Sequence, residues 1–142
     1  MRKLGAGWKG ATYRGRVEGK PSECAVLAVA RELTAATDFA ERFRQTGELL
    51  GRLEHRGAVR YLEFRQQGDN YVILSEYAPG APMSRWLTQN SPAAADWLQL
   101  FCGVLDTLEY VHGRGVAHLD LTPAQILVGD DPGYNEDVVE SN

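Results

Sequence analysis

The sequence predicts an α+β protein: a small antiparallel β-sheet lobe with one inserted helix, followed by the start of a helical lobe. Three observations predict this. Residues 2–77 are mostly short apolar runs bounded by glycine and turn residues, as strands are. One stretch within them switches to a helical period. Beyond APGAP, at 78–82, the remaining apolar residues are spaced as on helices. The expected division is therefore 1–77 and 78–142.

Residues 2–18 read as two short strands joined at the glycines of GAGWKG, and ECAVLAVA, at 23–30, reads as a buried strand. VEGKPSE between them carries Gly19 and Pro21, the residues of a hairpin turn. Phe39, Phe43, Thr46, Leu50 and Leu53 then recur at steps of four, three, four and three, which puts them on one face of a helix over 38–54. Asp38 and Glu41 suit its positive end, and Gly47 and Gly51 weaken it. VRYLEFRQQGDNYVILSEY, at 59–77, reads as two strands around a turn at GDN. A short helix is expected at MSRWLTQN and a long one over 93–112, with Trp97, Phe101, Val104, Leu108 and Val111 as its buried stripe. The tail GDDPGYNEDVVESN is acidic and rich in turn formers.

With 142 residues, 44% hydrophobic, the chain can bury a core of one domain or part of one. A net charge of −4 leaves no basic stripe for a phosphate backbone, so nucleic acid is not an expected partner. Cys24 and Cys102 lack metal-ligand spacing and are expected to be reduced and buried. No apolar run approaches the roughly 18 residues that span a bilayer, and MRKLGAGWKG has no signal-peptide segment, so a cytoplasmic location is expected.

The glycine triplet alone is weak evidence, since several folds place glycines where backbone approaches phosphate. Here ATYRGRVEG leads into another strand, not a helix, which favours a hairpin lid over a dinucleotide site. HLDLTPAQILV, at 118–128, is far more specific. With the glycine loop, LEHRGAVRYLEF and ILSEYAPG in the same order, the chain resembles the protein kinases, especially serine/threonine kinases of bacterial type, from the glycine loop through the catalytic loop. That is roughly half of such a domain.

The resemblance implies ATP and magnesium as ligands and a protein as substrate or partner. It assigns Gly5, Gly7 and Gly10 to the loop over the phosphates, Thr12 and Ala25 to the surroundings of the base, and Glu76 and Tyr77 to the hinge. It makes Asp120 the base that receives the substrate hydroxyl proton. The departures are several. The phosphate-binding lysine falls on Leu27, and its glutamate partner, counted back from His55, falls on Thr46. Arg31 and Glu48 are the conceivable substitutes for that pair. Leu119 replaces an arginine, Thr122 replaces a lysine, and Gln125 stands where an asparagine would hold a metal ion. Glutamine keeps the amide oxygen but sets it one methylene further out. No DFG is present; Asp137 is followed by two valines, and Asn142 is the last residue.

Three readings stay open. The chain is a pseudokinase-like regulatory or scaffolding module, an active serine/threonine kinase that relies on Asp120 and a displaced cation, or a partial product whose helical half another segment or chain must complete.

Overall fold

The computed structural model describes residues 1–20 and 22–129 and divides the chain into two units. Among the described residues the first comprises Met1–Glu54 and Val59–Tyr77, and the second takes in His55–Ala58 and residues 78–129.

The first unit is a five-stranded antiparallel sheet with helices between its third and fourth strands. The strands are β1 (Arg2–Gly7), β2 (Gly10–Arg16), β3 (Glu23–Val29), β4 (Tyr61–Gln67) and β5 (Asn70–Glu76), in the spatial order β1-β2-β3-β5-β4. Gly68, with φ 59°, turns β4 into β5. Side chains alternate between the two faces of such a sheet. Cys24, Val26 and Leu74 form the core on one face, with Val17, Leu62 and Val72 packed against them. The opposite face carries Thr12 and Arg14 from β2, Glu23, Ala25 and Leu27 from β3, and Tyr71, Ile73 and Ser75 from β5.

Part of that second face lies under α2 (Phe39–Leu50). Phe39 and Phe43 meet the Tyr71 ring edge-on at 4.8 and 4.9 Å, and Phe43 meets Phe64 at 5.3 Å. Gly47 has a packing reason: a Cβ there would lie 2.8 Å from Cγ of Phe64. The helix stops four residues short of the expected 54. Gly51 still donates to the Gly47 carbonyl, but Arg52 and Leu53 donate to Leu49 and Leu50, so the chain tightens into three-residue turns. Leu53 is nonetheless buried, which explains its place in the periodic pattern. A four-residue helix, α1 (Arg31–Thr34), precedes α2 and was not foreseen.

The second unit contains α3 (Met83–Gln89), α4 (Ala94–His112) and a two-stranded ribbon of β6 (Ala81–Pro82) and β7 (Leu127–Val128). Ala81, Met83 and Val128 form its small core, and Met83 N–H donates to the Ile126 carbonyl at 2.8 Å. His55 fastens the loop that starts with it: Nδ1 accepts the Gly57 N–H at 3.1 Å, Nε2 lies 3.4 Å from the Asp106 carboxylate, and the ring tilts against Tyr110 at 4.8 Å. Gly57 is there because α4 leaves no room; a Cβ would stand 2.0 Å from Oγ1 of Thr107.

Two expectations are corrected on α4. Phe101, placed in a buried stripe, is 54% exposed, and Leu98 and Leu105 beside it are more exposed still. Cys102, expected to be buried, is exposed; only Cys24 is buried. The physical reason is shared: no residue of α4 is fully buried, because among the described residues nothing packs over that flank of the helix. No helix among the described residues is long and apolar enough to cross a membrane.

Candidate functional site

The singled-out residues fall into two groups, one in each unit. In the first, β1 and β2 form a hairpin with Trp8 and Lys9 at its tip, pairing Gly7 with Gly10 and Gly5 with Thr12. Trp8 is 69% exposed, and Lys9 Nζ sits 5.1 Å from its ring. The three glycines differ. Gly10 has φ +132°, and a Cβ would fall 1.9 Å from the Ala28 carbonyl oxygen, so the fold itself requires glycine. Gly5 and Gly7 have no such reason: neither has a left-handed φ, and a Cβ at either would meet nothing within 4 Å.

Behind the hairpin, Thr12 stands opposite Leu27, and Leu27 stands opposite Ile73. Ala25 lies between Arg14 and Ser75 in the same way. These positions are half-buried. At the end of this face Arg14 donates to Oε2 of Glu23 from Nη2 at 2.7 Å and from Nε at 3.2 Å, and its guanidinium lies 4.1 Å over the Tyr77 ring. Tyr77 N–H donates to the Glu23 carbonyl at 3.2 Å and Glu76 N–H to the Arg60 carbonyl at 2.9 Å, so both N–H groups at this end serve the fold. Arg14 and Glu23 were missed in the sequence. The available signal was an opposite-charge pair on the two strands flanking one turn.

On α2, Thr46 is exposed, and Glu48 is engaged by Arg44 in an ion pair along the helix. Arg31 is an exposed residue at the start of α1 and not part of a strand. Neither conceivable substitute therefore sits on the sheet face with Leu27.

The second group lies in the loop after α4. Leu119 has φ 59°, and Asp120 N–H donates to the His118 carbonyl at 2.8 Å, the bond of a tight three-residue turn. A positive φ at the centre of such a turn is rare and strained, and Leu119 is also 95% exposed. Directly after it, a 3₁₀ turn, Pro123–Gln125, is capped by its own last residue. Oε1 of Gln125 accepts the Thr122 N–H at 2.9 Å, and Oγ1 of Thr122 approaches the same oxygen at 3.3 Å. Nε2 of Gln125 donates to Oδ2 of Asp120 at 3.3 Å. Asp137 and Asn142 lie outside the described residues.

The small side chains at Thr12, Ala25 and Ser75, with open backbone at Gly5 and Gly7, fit a flat heterocycle close to the sheet. Leu27 does not fit a phosphate, having no donor. Gln125 does not fit a metal ion here, because its oxygen is spent on Thr122 and its amide nitrogen faces Asp120. No group of three or more His, Cys, Asp or Glu among the described residues is placed to hold a metal ion.

Comparison with known proteins defines the class. A family model for the protein kinase domain matches residues 1–134, and the chain belongs to that family. Among relatives, it is 28% identical over 128 residues to serine/threonine-protein kinase pkn2 of Myxococcus xanthus, covering 90% of this chain and 15% of that protein. It is 28% identical over 141 residues to PknJ of Mycobacterium tuberculosis, covering 99% of this chain and 24% of that one. In structure it resembles the PknI kinase domain of Mycobacterium tuberculosis, with TM-score 0.78 and 25% identity over 89% of this chain and 52% of that domain. Rad53 in complex with AMP-PNP shares the fold, with TM-score 0.79 at 20% identity, over 92% of this chain and 34% of that one. The chain thus spans about half of a solved kinase domain and a smaller share of the curated relatives.

Proposed function

We propose that this chain is a pseudokinase-like domain fragment that holds a nucleotide-type ligand on its sheet, transfers phosphate poorly or not at all, and works by engaging a protein partner. The observation that carries the reading is Leu27, set in β3 between Thr12 and Ile73. Phosphoryl transfer is catalysed almost entirely by positioning and by charge that meets the three equatorial oxygens. A leucine supplies neither. Removing one such preorganised stabiliser typically costs about a hundred- to a thousandfold in rate.

Asp120 supports the second reading, an active serine/threonine kinase, because a carboxylate can accept a hydroxyl proton from a protein substrate. Its Oδ2 is here engaged by Gln125. Accepting a proton also leaves the charge on the phosphoryl group unmet.

The test is transfer of labelled γ-phosphate to a generic basic-protein substrate and to the chain itself, with magnesium, for wild type and Asp120→Asn. Both are expected to stay at background. Transfer by the wild type that disappears in Asp120→Asn would establish the second reading instead.

A further inference from the structure

We infer that His55 is a pH-sensitive clasp in the second unit: its neutral ring fastens the backbone of the 55–58 loop, and its protonated ring releases that backbone while keeping hold of α4.

The two ring nitrogens have separate tasks. Nδ1 accepts the Gly57 N–H at 3.1 Å and so carries no proton, which places the neutral ring's single proton on Nε2, 3.4 Å from the Asp106 carboxylate. The loop is closed on itself by the Gly57 bond and by Ala58 N–H donating to the His55 carbonyl at 3.0 Å. Protonation turns Nδ1 from acceptor to donor and sets N–H against N–H. The Gly57 bond cannot persist in that state. At Nε2 the effect has the opposite sign, because the new positive charge faces a carboxylate. Gly57 already sits against Thr107, where a Cβ would stand 2.0 Å from Oγ1, so the loop has no room toward α4 and relief has to be outward.

Few charged or titratable groups surround the ring. From α4 come Asp106 and Tyr110, and the Arg114 guanidinium lies 3.5 Å over the Tyr110 ring. From the loop comes Arg56, exposed and 3.8 Å from the same Asp106 oxygen that His55 faces. Glu54, just before the loop, pairs with Arg60 at 3.2 Å. Asp106 thus favours the charged ring, while Arg56 and the Gly57 N–H oppose it. Imidazole is the side chain that ordinarily changes charge between pH 5 and 8, the range in which such a clasp works. The chain leaves the first unit at His55 and re-enters it at Val59, so the proton controls the freedom of a connecting segment.

The experiment is NMR of the labelled chain from pH 8 to pH 5, following the His55 ring nitrogens and the exchange of the Gly57 amide, corrected for the intrinsic pH dependence of exchange. The neutral ring is expected to carry its proton on Nε2. Gly57 is expected to lose about fivefold in protection as pH falls, with the midpoint of the ring's own titration. Leu74 in the sheet and Leu108 in α4 should keep theirs. Asp106→Asn should lower the ring's midpoint and carry the Gly57 transition with it. His55→Asn, which keeps an acceptor but no titrating ring, should give Gly57 protection independent of pH.

A neutral ring protonated on Nδ1, a ring that keeps one charge state from pH 8 to pH 5, or Gly57 protection that stays flat through the ring's titration would each overturn the inference. Loss of Leu74 or Leu108 protection at the same midpoint would do so as well, since the event would then be unfolding and not release of a loop. A ring midpoint unmoved in Asp106→Asn would show that the charged ring has no hold on α4. Should His55→Asn not fold, the wild-type curves still decide.

Discussion

Gly10, Gly5 and Gly7 belong to one motif, yet alanine should affect them in opposite directions. At Gly10 the new Cβ would stand 1.9 Å from the Ala28 carbonyl oxygen and 2.9 Å from the Ala30 nitrogen. Ordinary contact begins near 3.4 Å, so relief needs a shift of more than 1 Å between β2 and β3. Those strands are paired at every position from Gly10↔Val29 to Arg16↔Glu23, and no rotamer change helps because both partners are backbone. Adding strain at φ +132°, typically about 1–3 kcal/mol, to overpacking of about 1–3 kcal/mol gives a loss of about 2–6 kcal/mol for Gly10→Ala. For Gly5→Ala and Gly7→Ala there is neither clash nor left-handed φ. Reduced freedom of the unfolded chain should then stabilise each by about 0.4–1 kcal/mol. Urea denaturation of the four proteins measures the differences directly. Equal stabilities for Gly10→Ala and Gly5→Ala, within about 0.5 kcal/mol, would refute the claim that the fold requires only the third glycine.

Gly57→Ala should cost about 2–3 kcal/mol by driving a methyl into Thr107, and Gly57→Ala/Thr107→Ala should cost clearly less than the sum of the single changes; additivity in chemical denaturation would remove the proposed contact. Leu119→Asn should raise stability by about 0.5–1 kcal/mol, since asparagine tolerates a positive φ and carries less exposed apolar surface; a destabilised variant would mean that Leu119 packs on something. The Glu63 carboxyl is held below its usual range by hydrogen bonds from Arg65, at 2.7 Å, and Lys20, at 3.1 Å. The unfolded chain therefore binds the proton first as pH falls, so this contribution is full above the ordinary carboxylate pKa and is lost as pH drops through the lowered folded value. Acid denaturation should be less steep in Glu63→Gln than in wild type below about pH 4.3, and an unchanged acid limb would count against the pairing.

The sheet was largely legible because its strands are short apolar runs separated by turn residues, and that pattern survives with no knowledge of partners. What lay beyond reading were the features that depend on what is adjacent in space. β6 and β7 are two residues each and exist because Ala81 pairs with Val128 across a long sequence gap. The stripe on α4 has the right period but little to pack on, so Phe101 and Cys102 ended exposed; periodicity reports which residues share a face and not whether the face is covered. The same limit applies to the site. Counting without gaps puts Leu27 on a strand, but only the register brings it between Thr12 and Ile73. The Arg14, Glu23 and Tyr77 cluster needed the register as well. Gln125 could be judged in sequence as one methylene too long, whereas its actual use, capping a 3₁₀ turn through Thr122, depends on a local turn geometry that no spacing rule specifies.

The departures read in the sequence belong to two different units of the chain, and that bears on how they would combine. In the reading proposed above, Leu27 leaves the sheet of the first unit without the charge that would anchor a phosphate. In the second unit, Gln125 ties its oxygen to Thr122 and its nitrogen to Asp120, which occupies the proposed base and withholds a metal ligand at once. Groups that act on one transition state are not additive: once one is missing, losing another costs little, because the arrangement it served no longer exists. A sequence under no demand for transfer can therefore accumulate such changes in both units while the sheet, the hairpin and the small core under α3 stay intact. The retained features are those the fold needs for its own packing, Gly10 and Gly57 foremost. Gly5 and Gly7 are the exception, since nothing among the described residues calls for glycine at either. Their openness is the strongest reason to look for a ligand on this sheet even where transfer is absent.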